Sequence, residues 1–202
     1  VLAAALGLSA VALQGEHPDA AGWLKEALAY TREFFDTQGK DGGCMEGPGY
    51  GTYGADALAR FLLALETAGG ENPVARHPFL ETLPRYCISQ MCPGDRRHTG
   101  FGDGWFSQPF PLCMTFLALR GNRDAAWYLQ EIGYTRPRTV EQIALLGLRP
   151  ERFADPRPPA WCPSQAFLDI GYAALRDGFN QKAAFLAFKC GPPTREIGHN
   201  HY

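Results

Sequence analysis

The chain has 202 residues, more than one typical domain of ~150 residues and fewer than two. The 19 Lys and Arg residues against 21 Asp and Glu residues give a net charge of -2, so the basic excess of a dedicated nucleic-acid-binding protein is absent. Hydrophobic residues make up 46% of the chain, which excludes global disorder. The 23 Gly and 16 Pro residues, with 12% aromatics, indicate short elements joined by many turns.

The two ends suggest an internal piece of a longer protein, because the chain starts at Val1 without Met and stops at Tyr202 directly after His201. Residues 1–13 are apolar or small, but a membrane-spanning helix needs ~20 such residues. The segment carries no basic residue and no small-residue cleavage site follows it, so it predicts a buried helix rather than a signal peptide.

The six cysteines show no CxxC spacing, the usual mark of a zinc site. We expect most of them to be buried apolar residues. One disulfide, or a metal site built on cysteines, is the alternative.

Apolar residues recur at three-and-four spacing through the first two thirds of the chain, which is typical of amphipathic helices. Pro84 predicts a kink or a break in the fourth helix. Helix pairs with long Gly-rich loops at 38–49 and 92–108 favour an (α/α) toroid with a cleft at one mouth over a plain helical bundle. The predicted helices are 1–14, 19–37, about 50–68, 77–90, 110–120, 123–132 and a short one at 140–146.

The composition changes at residues 149–163, where five prolines indicate a linker. Beyond it, Asp177-Gly178 lies between two apolar runs, a pattern that predicts a β-hairpin. The fold class we predict is therefore mainly α: an incomplete (α/α) toroid at 1–150, a Pro-rich linker at 151–165, and the first strands of an antiparallel β-sandwich domain at 166–202.

Residues 41–54, DGGCMEGPGYGTYG, form the densest candidate site. Glu46 comes just before a predicted helix start, and Tyr50 and Tyr53 share one face of its first turn. A tyrosine acts as a general base and acid when a nearby cation lowers its pKa. The alternative is a structural turn with two packing tyrosines and a capping glutamate.

Two further segments carry candidate residues. Arg97, Asp103 and Trp105 lie in a Gly-rich stretch that suits an acidic sugar, since arginine binds carboxylate or sulfate; a solvated loop with an anchoring aromatic is the alternative. At the end of the chain, His199 and His201 have the HxH spacing of two metal ligands. Alternatively, one of them could be catalytic while the other binds the metal, or both could be ordinary surface histidines.

These segments, in this order, resemble the heparinase II/III-like polysaccharide lyases. The resemblance is carried by DGGCMEGPGYGTYG at 41–54, TGFGDGW at 99–105 and FLAFKCGPPTREIGHNHY at 185–202. It implies a toroid followed by β-sheet domains, and β-elimination on a uronic-acid polysaccharide of the heparin, heparan sulfate or alginate kind. It also implies a periplasmic or secreted protein.

The resemblance implies a role for each candidate residue. Tyr50 would be the base and acid, with Tyr53 as the alternative, and His199 the catalytic histidine. His201 would be the first ligand of a zinc ion whose other ligands follow Tyr202. Many relatives carry an aromatic residue where this chain has Gly51. This difference leaves open the shape of a position that would stack on a sugar, and with it the exact substrate. The substrate-binding residues would be Glu46, Arg97, Asp103 and Trp105.

Two other functions remain open from the sequence. One is a glycan-binding homologue of the same fold without catalysis. The other is a toroid glycoside hydrolase, which needs two carboxylates across a cleft and could draw on Glu46, Asp56 and Asp103.

Overall fold

The computed structural model describes residues 1–101, 111–134 and 155–191, in which helices come first and an antiparallel sheet follows. The predicted helices within these ranges form, and the largest shift is at the third, which begins at Gly47 rather than Tyr50. Pro48 explains this earlier start, since proline is well accommodated in the first turn of a helix. The helices are α1 (Leu2–Ala12), α2 (Ala20–Asp36), α3 (Gly47–Thr67), α4 (Pro78–Gln90), α5 (Pro111–Ala118) and α6 (Arg123–Glu131).

Helix α3 lies at the centre of the helical part and contacts α1, α4 and α5. Its predicted apolar face is buried, including Leu58, Phe61 and Leu62. Helix α1 packs closely on it, because Gly7 leaves room for the ring of Phe61. The prediction of a buried α1 is wrong in part: small residues form a buried stripe, whereas Leu2 is 86% exposed.

Helix α4 runs through Pro84 without a break, contrary to one of the two predicted outcomes. Proline removes one backbone hydrogen bond of the helix. Packing supplies the compensation, since Leu83, Tyr86 and Cys87 around this proline are completely or almost completely buried.

The sheet has three antiparallel strands in the order β1 (Gln165–Phe167), β2 (Tyr172–Arg176) and β3 (Phe185–Lys189). The predicted hairpin is therefore confirmed, although its loop spans residues 177–184 rather than a two-residue turn. Asp177 closes that loop by accepting a 2.9 Å hydrogen bond from the backbone N–H of Ala184. The sequence pattern did not identify β1.

One face of the sheet packs on α4. Tyr86 meets the ring of Phe167 edge-on, with 5.1 Å between centroids, and Arg176 donates a 3.1 Å hydrogen bond to the carbonyl of Ile88. The other face leaves Leu175, Leu186 and Phe188 about half exposed. An apolar outer face of this kind is typical of a sheet that forms one layer of a sandwich.

Some predictions lie outside the described residues: the short helix at 140–146 and the domain boundary at residue 150. The described part of the Pro-rich segment, residues 155–164, contains neither helix nor strand.

Candidate active site

The Gly-rich loop, residues 37–46, joins α2 to α3 and leads directly to the candidate tyrosines. It folds on itself through hydrogen bonds from the N–H of Gly39 to the carbonyl of Gly43 and from the N–H of Gly42 to the carbonyl of Gly39, both 2.9 Å. Gly42 has φ = +89°, and a Cβ there would lie 2.6 Å from the backbone of Thr82 on α4. Only glycine therefore fits this close approach of loop and helix.

Cys44 anchors the end of this loop in the core. Its thiol donates to the side-chain oxygen of Gln38 at 3.0 Å, and its carbonyl accepts from the hydroxyl of Tyr86 at 3.4 Å. Burial raises the pKa of the Cys44 thiol to about 12, so this cysteine stays protonated and is not a nucleophile.

Tyr50 and Tyr53 lie on the first turns of α3 and are 38% and 46% exposed, while Gly51 and Thr52 between them are buried. The helix thus presents both phenol rings at the surface, as the spacing predicts. Glu46 occupies the position just before the helix, but its side chain makes no capping hydrogen bond. The alternative of a capping glutamate is therefore wrong.

Asp56 lies one turn beyond Tyr53 and points into the core, where it is 4% exposed. Its carboxylate accepts hydrogen bonds from the N–H groups of Leu112 at 3.2 Å and Cys113 at 2.7 Å, which begin α5. Burial raises the pKa of Asp56 to about 7, outweighing these hydrogen bonds and nearby Arg60. Asp56 is therefore a structural cap and not a carboxylate of an open cleft.

The β-sheet region also touches the Gly-rich loop. Asp169, in the short 3-10 turn between β1 and β2, accepts a 2.8 Å hydrogen bond from the N–H of Lys40. Lys189 at the end of β3 donates to the carbonyl of Met45 at 3.4 Å, and burial lowers the pKa of its ammonium. The sequence offered no signal for these contacts, because the partners are more than a hundred positions apart.

Two described residues of the second candidate segment, His98 and Thr99, are buried, whereas Arg97 is exposed. His98 is fully buried with its Nε2 2.7 Å from the hydroxyl of Tyr128, and burial lowers its pKa to about 4. Arg97 is bound to Asp95 by a 2.7 Å ion pair. The solvated-loop interpretation is wrong for His98 and Thr99, while Asp103 and Trp105 lie outside the described residues.

The third segment, with His199 and His201, also lies outside the described residues, so the zinc site remains a prediction. Within the described ranges, no group of three or more His, Cys, Asp or Glu side chains could hold a metal ion. All six cysteines are free, and three of them are buried, namely Cys44, Cys87 and Cys113. Among the helices that the structure describes, none is long and apolar enough to cross a membrane.

Neither a family sequence model nor a curated protein matches the chain. Solved structures do match. A mutant of the heparan sulfate lyase HepC from Pedobacter heparinus has a TM-score of 0.70 and 17% identity over 96% of this chain and 28% of its own. HepC from the same organism has a TM-score of 0.57 and 16% identity over 96% and 28%. A heparinase III structure has a TM-score of 0.58 and 17% identity over 95% and 28%.

The chain thus spans about 28% of the length of each lyase it matches. At this level of identity the likeness concerns the fold. The helices form part of an (α/α) toroid, and the strands are the first of an antiparallel β-sandwich, so the fold class predicted from the sequence is confirmed.

Proposed function

We propose that this chain is part of a heparinase II/III-like lyase that cleaves uronic-acid polysaccharides by β-elimination. The observation that carries the proposal is the exposed pair Tyr50 and Tyr53 on the first turns of α3, in a fold shared with heparan sulfate lyases. The substrate class is heparin-like, heparan sulfate-like or alginate-like, and the protein is periplasmic or secreted.

In this reaction Tyr50, or Tyr53 in its place, removes the proton from C5 of the uronate. The C5–H electrons form the C4–C5 double bond, and the C4–O bond to the neighbouring sugar breaks. The departing oxygen takes a proton from the tyrosine or from His199. The new end is therefore a 4,5-unsaturated uronate, and no water is consumed. A cation or a hydrogen-bond donor at the cleft would favour the base form of the tyrosine.

Further residues complete the proposal. Arg97, Asp103 and Trp105 would contact the acidic sugar. Glu46 would orient the Gly-rich loop, or would support a residue that itself contacts the sugar. His201 would hold a zinc ion, which would stabilise the β domain when bound.

The burial of Asp56 removes one of the three carboxylates that a glycoside hydrolase could use. Glu46 and Asp103 remain for that alternative. Glycan binding without turnover is the other alternative.

Absorbance of the unsaturated uronate separates these functions. The full-length protein is incubated with heparin, heparan sulfate and alginate, and both absorbance and reducing ends are measured. A lyase produces both signals, a hydrolase produces reducing ends alone, and a binding protein retains glycan with neither. The absence of unsaturated product on every uronan would falsify the lyase proposal.

A further inference from the structure

Asp169 connects the β-sheet region to the loop that precedes the candidate tyrosines. Its carboxylate accepts from the N–H of Lys40 at 2.8 Å, and its own N–H donates to the carboxylate of Asp41 at 3.4 Å. The next residue, Ile170, packs so closely on the loop that a Cβ on Gly43 would lie 2.8 Å from its side chain. These contacts join residues that are 129 and 128 positions apart in the chain.

The restraint continues along the loop towards α3. Asp41 accepts from the N–H of Gly43 at 3.0 Å, which fixes the turn that Asp169 contacts. Two residues further on, Lys189 of the same β region donates to the carbonyl of Met45. The carbonyl of Cys44 then accepts from the N–H of Gly47, the first residue of the helix that carries Tyr50.

Asp169 contributes little to the core. It is exposed, whereas the sheet is attached to α4 by the buried rings of Phe167 and Tyr172 against Tyr86. Loss of the Asp169 carboxylate should therefore leave the two parts of the fold packed together. It should release the backbone of the Gly-rich loop at Lys40.

We propose that Asp169 is a positioning residue: by holding the Gly-rich loop from the β-sheet region, it fixes the orientation in which Tyr50 meets substrate. This inference rests on the proposed lyase function. Its chemical basis is that a displacement of about 1 Å at a reacting group costs up to about a hundredfold in rate.

The kinetic test compares Asp169→Ala, Asp169→Asn and the control Asp177→Ala in the full-length protein. Asp177 is a matched control because it is also an aspartate of the β region whose carboxylate accepts one backbone N–H. Its donor, Ala184, lies in the same hairpin and not in the Gly-rich loop. We expect Asp169→Ala to lower kcat by about tenfold or more with KM little changed. Asp169→Asn retains an acceptor oxygen for Lys40 and should recover most of the rate. Equal kcat in Asp169→Ala and Asp177→Ala would overturn the proposal.

Hydrogen exchange tests the same restraint without activity. The amide of Lys40 and its neighbours at residues 39–46 should exchange faster in Asp169→Ala than in the wild type or Asp177→Ala. Unchanged exchange in this loop overturns the proposal even if the enzyme is active. If the wild type forms no unsaturated product, the lyase function fails, and the exchange result alone decides whether Asp169 holds the loop.

Discussion

Gly51 lies directly against the thiol of Cys44: a Cβ on Gly51 would be 2.0 Å from the sulfur. The resemblance to polysaccharide lyases suggested that position 51, aromatic in many relatives, shapes a sugar-stacking surface. In this chain Gly51 is buried and faces the anchor of the Gly-rich loop. The glycine therefore serves the packing of the loop on α3.

Replacing Gly51 by alanine should destabilise the protein by about 1–3 kcal/mol, because a well-packed core does not accept an added carbon without displacement. Gly22→Ala is the matched control, since Gly22 also lies in a helix and a Cβ there meets nothing within 4 Å. That control should gain about 0.5–1 kcal/mol from helix propensity. Urea unfolding measures both changes, and a neutral Gly51→Ala would contradict the close contact.

Tyr50→Phe should lower kcat by about 10²–10⁴-fold, the usual contribution of a general acid–base group, with substrate binding nearly unchanged. Tyr30→Phe is the control, since Tyr30 is a 49% exposed tyrosine on α2. If Tyr53→Phe abolishes product formation while Tyr50→Phe does not, the base is Tyr53. Formation of unsaturated product at wild-type rate by both variants would rule out the tyrosine mechanism.

Asp56→Ala should cost about 1–2 kcal/mol, the usual loss for a helix cap, because the N–H groups of Leu112 and Cys113 lose their acceptor. Asp56→Asn keeps one acceptor oxygen and should retain more of the stability. Thermal unfolding of the two variants at one pH gives the comparison. Equal stability of Asp56→Ala and wild type would show that the cap is dispensable.

Asp56 and His98 should make opposite contributions to the pH dependence of stability. The pKa of Asp56 is raised to about 7 in the folded protein, against about 3.9 unfolded, so its contribution is fully present below pH ~4 and is lost as the pH rises to 7. The pKa of His98 is lowered to about 4, against about 6.5 unfolded, so its contribution is present above pH ~6.5 and is lost as the pH falls towards 4.

Single variants separate these contributions. In Asp56→Asn, the unfolding free energy should rise with pH between about 4 and 6.5, the window of His98 alone. In His98→Gln, whose amide can still reach the hydroxyl of Tyr128, it should fall between about 4 and 7. Urea titrations across this range provide the measurement, and identical slopes in the two variants would contradict both assignments.

Arg176→Ala should loosen the sheet from the helices and cost about 2–3 kcal/mol, since buried acceptors lose their donor. Its guanidinium donates to the carbonyls of Ile88 at 3.1 Å and Met91 at 3.5 Å, at the end of α4. Arg157→Ala is a suitable control, because Arg157 forms an exposed ion pair with Asp155. Calorimetry should show a lower Tm for the Arg176 variant only, and equal Tm values would argue against this attachment.

The helices and the hairpin could be predicted because their signals are local. Residues three and four apart share a helix face, and this periodicity identified the buried side of α3 and the exposed pair Tyr50 and Tyr53. The turn signal at Asp177-Gly178 placed the hairpin, although the loop is longer than the pattern implied. At Pro84, packing of the neighbouring side chains outweighed the local signal for a break in the helix.

By itself, the sequence determined the order of elements, the change from helices to strands and the residue types available for acid–base chemistry. The tertiary structure alone decided that Asp56 caps a helix, that His98 is buried, that Gly51 faces a thiol and that Asp169 accepts a hydrogen bond from the Gly-rich loop. The reason is physical: secondary structure follows from the spacing of neighbours, whereas burial and partner choice depend on which distant segments pack together, and no short pattern records that packing.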